Sequence, residues 1–87
     1  MTMTNDEFDV LDELYFLQSY EYLANTLDLS ATKLKATLKK LLEKGWVKWY
    51  RSPIEEIDFE SHQFEQDFWN YYYLASKEGL RAHNGTT

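Results

Sequence analysis

Seven of the nine basic side chains in this 87-residue chain fall between residues 30 and 51. They are Lys33, Lys35, Lys39, Lys40, Lys44, Lys48 and Arg51, with Glu43 the one acid among them. Cationic groups at this density offer one chemistry above others, the neutralisation of phosphates with release of their condensed counterions. The flanks have the opposite sign. Residues 1–29 hold Asp6, Glu7, Asp9, Asp12, Glu13, Glu21 and Asp28 with no base, and residues 52–68 hold Glu55, Glu56, Asp58, Glu60, Glu65 and Asp67 with no base. A net charge of −6 and a pI of about 4.7 argue against a polyanionic partner. The segregation argues for one, because a partner meets the local field before the average.

Other chemistries find less support. Asp58, Glu60 and His62 alternate and offer oxygen and imidazole donors, but their spacing matches neither an EF-hand nor a zinc pattern, so no metal site is expected. Neither His62 nor His83 stands near a Ser or Asp in a nucleophile motif, and there is no Gly-rich phosphate loop. Cysteine is absent, which removes disulfides and thiolate chemistry and fits a reducing compartment. The reading is of a non-enzyme with no cofactor and no small-molecule substrate. The acidic start MTMTNDEFDV does not read as a secretory signal, and no apolar run approaches the roughly 20 residues that cross a bilayer. The expected address is the cytoplasm, with no membrane partner.

At 87 residues and 10.4 kDa the chain has the size of one domain, 1–87, and its 44% hydrophobic content, with 17% aromatic, excludes disorder. Thr4 and Glu7 form a capping-box pattern, and Phe8, Leu11, Leu14, Tyr15 and Leu17 recur at helical spacing, which predicts a helix over 5–17. Ser19 caps a shorter second helix carrying Tyr22, Leu23, Thr26 and Leu27. Ser30 caps a third, with Leu34, Leu38, Leu41 and Leu42 inward and Gly45 as its C-terminal residue with positive φ. WVKWY (46–50) and FWNYYYL (68–74) read as two strands paired antiparallel. Residues 54–67 show no clean period and read as a long hairpin tip. Ser76 caps a last short helix to about His83, with Gly79 as a weak point, and 84–87 read as a frayed tail.

The order of these elements resembles the winged helix-turn-helix fold: mainly α, with a three-helix core, a two-stranded antiparallel wing and a short C-terminal helix. Leu27-Asp28-Leu29-Ser30 looks like the turn and recognition-helix cap. Leu38, Leu41, Leu42, Glu43, Lys44, Gly45 and Trp46 resemble the end of a recognition helix in small bacterial regulators. Tyr72 to Gly79 (YYLASKEG) resembles the segment where the second wing strand enters the next helix in regulators of the MarR and PadR types. The match spans about residues 5–83. It implies a small transcriptional regulator that sets its third helix on duplex DNA.

Independently of the family, the wheel of the third helix places Thr32, Ala36, Lys39, Lys40 and Glu43 opposite the leucines, with Lys33 and Lys35 on the shoulders. Such a face is either solvated or phosphate-binding, and the charge segregation favours the second. The resemblance then implies phosphate contacts by Lys33, Lys35, Lys39 and Lys40, a base contact by Thr32, and added backbone contacts by Lys48 and Arg51. The face lacks Arg, Asn and Gln, so affinity without sharp sequence readout is expected. The acids of 54–67 would repel phosphates, which keeps this segment off DNA.

The alternative belongs to another class, a winged-helix protein-interaction module. Trp46, Trp49, Tyr50, Trp69, Tyr71, Tyr72 and Tyr73 crowd two strands, and a sheet with one open face would expose about half of them. Trp49, Trp69, Tyr71 and Tyr73 are the expected interface for a protein partner or a second copy, against cross-strand pairing within one chain. Ile54, Ile57, Phe59 and Phe64 punctuate the acids of the loop and either dock on a partner or fold back on the domain.

Overall fold

The helices begin where a side chain can take up free backbone N–H groups. The computed structural model describes residues 3–85. Thr4 and Glu7 form a reciprocal capping box at α1 (Asn5–Glu13), Ser19 caps α2 (Tyr20–Thr26), and Ser30 caps α3 (Ala31–Lys44). Glu60 caps α4 (Ser61–Asp67) and Ser76 caps α5 (Lys77–Asn84). Gly45 closes α3 at φ 77°, where no side chain is comfortable, and lets Trp46 N–H reach Leu41 O at 3.0 Å.

Four strands, β1 (Gln18–Ser19), β2 (Val47–Ser52), β3 (Glu55–Ile57) and β4 (Tyr72–Ala75), form one antiparallel sheet in the order β1-β4-β2-β3. A 3₁₀ turn (Phe68–Asn70) leads into β4. Among the described residues the architecture is therefore mixed α/β, with five α-helices and this sheet. It is not the mainly α domain with a single hairpin.

Several expectations are corrected. The first helix stops at Glu13 rather than 17, because the chain must turn to feed β1, and Leu14 O already accepts Ala75 N–H at 2.9 Å. The expected pairing of the two aromatic strands exists, with Val47 opposite Ala75 and Trp49 opposite Tyr73. They are not hairpin neighbours, however. The turn at Pro53-Ile54 returns β2 into β3, with Trp49 opposite Ile57, and the second aromatic strand starts at Tyr72 instead of Phe68. Residues 54–67 are not a loop tip but hold β3 and α4. Of the predicted tail, Asn84 ends α5 and Gly85 caps it, and the rest lies outside the described residues.

The inner face of the sheet carries Val47, Trp49, Tyr73 and Ala75, packed with Leu11 of α1, Leu14 just after it, and Leu34, Leu38 and Leu41 of α3. Phe64 of α4, fully buried, tilts against Trp49 and Phe68, and Phe59 meets both Trp49 and Phe64 edge-on. Trp49, Tyr71 and Tyr73 are thus core residues, not a partner interface. The alternation that would have exposed half the rings operates only on the outer face, where Lys48, Tyr50, Tyr72 and Leu74 are half-buried. Trp69 alone of the expected interface is open, at 52% exposure. Of the apolar residues among the loop acids, Phe64, Phe59 and Ile57 fold back on the domain, and Ile54 stands 94% exposed at the hairpin turn.

Two contacts lock the helices to this core. Glu7, 2% exposed, takes Lys44 Nζ at 2.6 Å and Thr4 N–H at 3.0 Å, tying the start of α1 to the end of α3. Burial opposes ionisation of Glu7, but hydrogen bonds from Lys44 and Thr4 outweigh it and hold the carboxyl below its usual range. At the other end Ser76 N–H donates to Trp46 O, Ser76 Oγ donates to Gly45 O, and α5 comes so close that a Cβ on Gly79 would lie 2.0 Å from Trp46 O. His83 of α5 stacks on Phe8 at 4.1 Å.

Gly79→Ala should therefore lower unfolding stability by about 3 kcal/mol, at the upper end of overpacking costs, because the neighbour is backbone and cannot rotate away. Urea denaturation measures it. Lys44→Ala leaves a buried carboxylate with only its N-cap bond and should cost about 3 kcal/mol, the low end for breaking a buried pair because the lysine is partly exposed. Because the Glu7 pKa is depressed in the folded chain, its contribution is complete above pH 4.5 and is lost as the pH falls through the lowered value. The loss of stability on acidification below pH 4.5 should be shallower in Lys44→Ala, as thermal melts across that range would record.

Candidate nucleic-acid interface

The solvent face of α3 follows from its leucines. With Leu34, Leu38, Leu41 and Leu42 buried, a stripe of Thr32, Lys33, Ala36, Lys40 and Glu43 is left exposed along the helix. Thr37 sits buried beside it and returns its hydroxyl to Lys33 O at 2.7 Å. Lys33 and Lys40 have no ion-pair partner among the described residues. They border a groove of about 190 Å³ against the first turn of α1, lined also by Ala36, Thr37, Asp6 and Glu7.

The opposite flank of α3 is differently arranged. Lys35 and Lys39, one turn apart, both reach Glu65 of α4: Lys35 Nζ lies 2.6 Å from Oε1 and Lys39 Nζ 2.8 Å from Oε2. Hydrogen bonds from Lys35 and then Lys39 hold the Glu65 carboxyl down to about 2, and the same bond raises Lys39. Lys35 also lies over the Phe68 ring, 5.1 Å from its centroid.

The residues expected to share one basic face are thus divided. Thr32, Lys33, Ala36 and Lys40 lie together in solvent, whereas Lys35 and Lys39 border them under a carboxylate. Lys48 falls on the outer face of the sheet, away from α3, because it alternates with the buried Val47 and Trp49. Arg51 pairs with Glu55 at 2.9 Å across the hairpin. Neither extends the α3 face. Lys44, turned toward Glu7, also covers the Trp46 ring at 4.5 Å.

The acids of 54–67 line a second feature, a cleft of about 450 Å³ between β2, β3 and α4. Asp58, Glu60, Asp67 and Arg51 rim it, with Trp49 and Tyr71 as its apolar wall. Gln63 Nε2 bridges Asp67 Oδ1 at 3.2 Å and the Tyr71 hydroxyl at 3.1 Å. Burial raises the Tyr71 pKa, with the bond from Gln63 opposing it. The alternating Asp58, Glu60 and His62 do not converge: Glu60 caps α4, and the His62 ring meets Gln66.

Two arrangements were invisible to sequence spacing. Glu65 reaches the lysines from α4, within the stretch 54–67 that shows no clean period; the one helical signal there, Phe64 with Phe68 at an i, i+4 interval, crosses into the segment expected as a strand. His83 accepts or donates at Nδ1 with the Tyr15 hydroxyl at 2.8 Å, while its Nε2 stands 3.5 Å from Asp12 Oδ1. These partners are far apart in the chain, and their visible role is to hold α5 on α1.

Comparison with protein-family models, curated proteins and solved structures returned no match for this chain. The depressed Glu65 carboxyl is directly measurable. Its side-chain NMR resonance should titrate with a midpoint near 2, and Lys39→Gln should move that midpoint toward the ordinary carboxylate value, since one of the two stabilising cations is removed.

Proposed function

We propose that the protein is a small winged helix-turn-helix domain that docks α3 on duplex DNA, chiefly through phosphate contacts. The carrying observation is the stripe of Thr32, Lys33, Ala36 and Lys40, exposed on a helix that follows α2 after residues 27–30, with its two lysines free of acid partners among the described residues. The topology supports the same reading. The β1-β4-β2 order and the β2–β3 hairpin supply the sheet and wing of such a domain, with α4 as an addition between wing and last strand. In this arrangement the exposed face of α3 enters the major groove and its flanks meet the two phosphate backbones.

The readout is weak in sequence terms. The stripe offers lysine, threonine and alanine, which give phosphate neutralisation and methyl contacts but no bidentate pairing with guanine or adenine. The acidic remainder of the molecule limits affinity and orients the domain, since only one face attracts the duplex. Transcription regulation in the cytoplasm is the corresponding biological role.

Fluorescence anisotropy of a labelled mixed-sequence duplex tests this. Affinity should fall steeply between about 50 and 200 mM salt, with a log–log slope near −0.9 for each phosphate contacted. Lys33→Glu with Lys40→Glu should abolish binding at the lower salt. Absence of binding at about 50 mM salt by both the unaltered protein and its Glu65→Gln variant, in which Lys35 and Lys39 lose their acid partner, would overturn the reading. It would transfer the proposal to a protein-interaction module using the acidic cleft and the exposed Trp69 ring.

A further inference from the structure

We infer that the Glu65 side chain gates the α3 face: its carboxylate occupies the place of a backbone phosphate on Lys35 and Lys39, and a duplex engages those two lysines only by displacing it. The inference rests on the DNA-docking reading and concerns its regulation. A phosphodiester brings one negative charge and two unbridged oxygens, and Glu65 brings the same charge and the same two acceptors. Each oxygen already holds one ammonium, Oε1 at 2.6 Å from Lys35 and Oε2 at 2.8 Å from Lys39. The two lysines sit one helical turn apart on the flank of α3 along which a phosphate backbone would run.

The gate is a side chain, not a helix. α4 is anchored by the buried Phe64, packed between Trp49, Phe59 and Phe68, so the helix stays where it is. Glu65 itself keeps 40% of its side chain in solvent and can rotate outward without disturbing the core. As a tethered competitor it acts at a high effective concentration, so free phosphate groups must outcompete a carboxylate that never diffuses away. The far flank of α3 has no such competitor, because Lys33 and Lys40 lack acid partners among the described residues. The face is therefore asymmetric, open along one edge and gated along the other.

The test is Glu65→Gln, which keeps the side-chain length and removes the charge, compared with the unaltered protein in the same anisotropy titration. Affinity should rise by about three- to tenfold, the scale on which exposed ion pairs compete. The salt slope should steepen by about 0.9 for each newly contacted phosphate, up to about 1.8 for two. Adding Lys35→Gln and Lys39→Gln to the Glu65→Gln chain should remove both gains. Binding by Glu65→Gln alone, with none by the unaltered protein, would support a closed gate. If the unaltered protein binds and Glu65→Gln matches it in affinity and slope, the gate is overturned while DNA docking stands. A gain that survives loss of the two lysines overturns it as well, since it would reflect net charge alone. If neither protein binds at about 50 mM salt, docking and gate fall together. Circular dichroism of each variant confirms that helix content is unchanged.

Discussion

Trp49 lies on an interior strand of the sheet with its indole on the inner face, and something large and apolar has to cover it. The helices α1 and α3 reach part of that face, while Phe59, Phe64 and Tyr71 close the remainder from the segment between β3 and β4. Burying an aromatic side chain of this size supplies about 2–3 kcal/mol, so the segment is drawn onto the sheet and cannot remain a solvated loop. Once Phe64 is inside, helical geometry turns its neighbour Glu65 toward the lysines of α3. A packing requirement on a strand thereby decides the electrostatics of a helix face.

The same economy of space explains how an acidic chain accommodates seven clustered bases. Lys44 is neutralised by Glu7, Lys35 and Lys39 by Glu65, and Arg51 by Glu55. Each pairing draws an acid from one of the flanking negative blocks, so the charge segregation along the chain becomes charge interleaving in space. Only part of the basic block remains as outward field. The pairs differ in weight, since the buried Glu7 pair fixes the packing of two helices, whereas the exposed Arg51 pair only decorates a hairpin.

What could be read from residues was local. Ser19, Ser30 and Ser76 announce helix starts through their own hydroxyls, and Gly45 announces a helix end through its missing Cβ, so those boundaries were legible. That the two aromatic strands pair antiparallel followed from their composition, whereas the register that sets Trp49 opposite Tyr73 did not. The end of α1 was not legible, because Tyr15 and Leu17 continue the apolar period and only the distant β4 draws the chain out of it. The order of the sheet was hidden for the same reason: β3 has the composition of a loop, and its strand character comes from its neighbour β2. Among the candidate site residues, Thr32, Lys33, Ala36 and Lys40 were placed by periodicity alone. The fate of Lys35 and Lys39 depended on a carboxylate 26 positions beyond Lys39, which no wheel of α3 contains.

The sheet order has a consequence for how the chain assembles. β4 lies between β1 and β2, yet it is the last strand to be made. Until residues 72–75 arrive, β1 has no partner and the inner face of β2 lacks Tyr73 beside its indole. The helices and the β2–β3 hairpin can form from neighbouring residues, but closure of the sheet waits for contacts spanning more than half the chain. Such late, non-local closure sets the folding rate of small domains. In a chain this rich in rings, the interval before β4 docks is also the interval in which aromatic surface is open to other molecules.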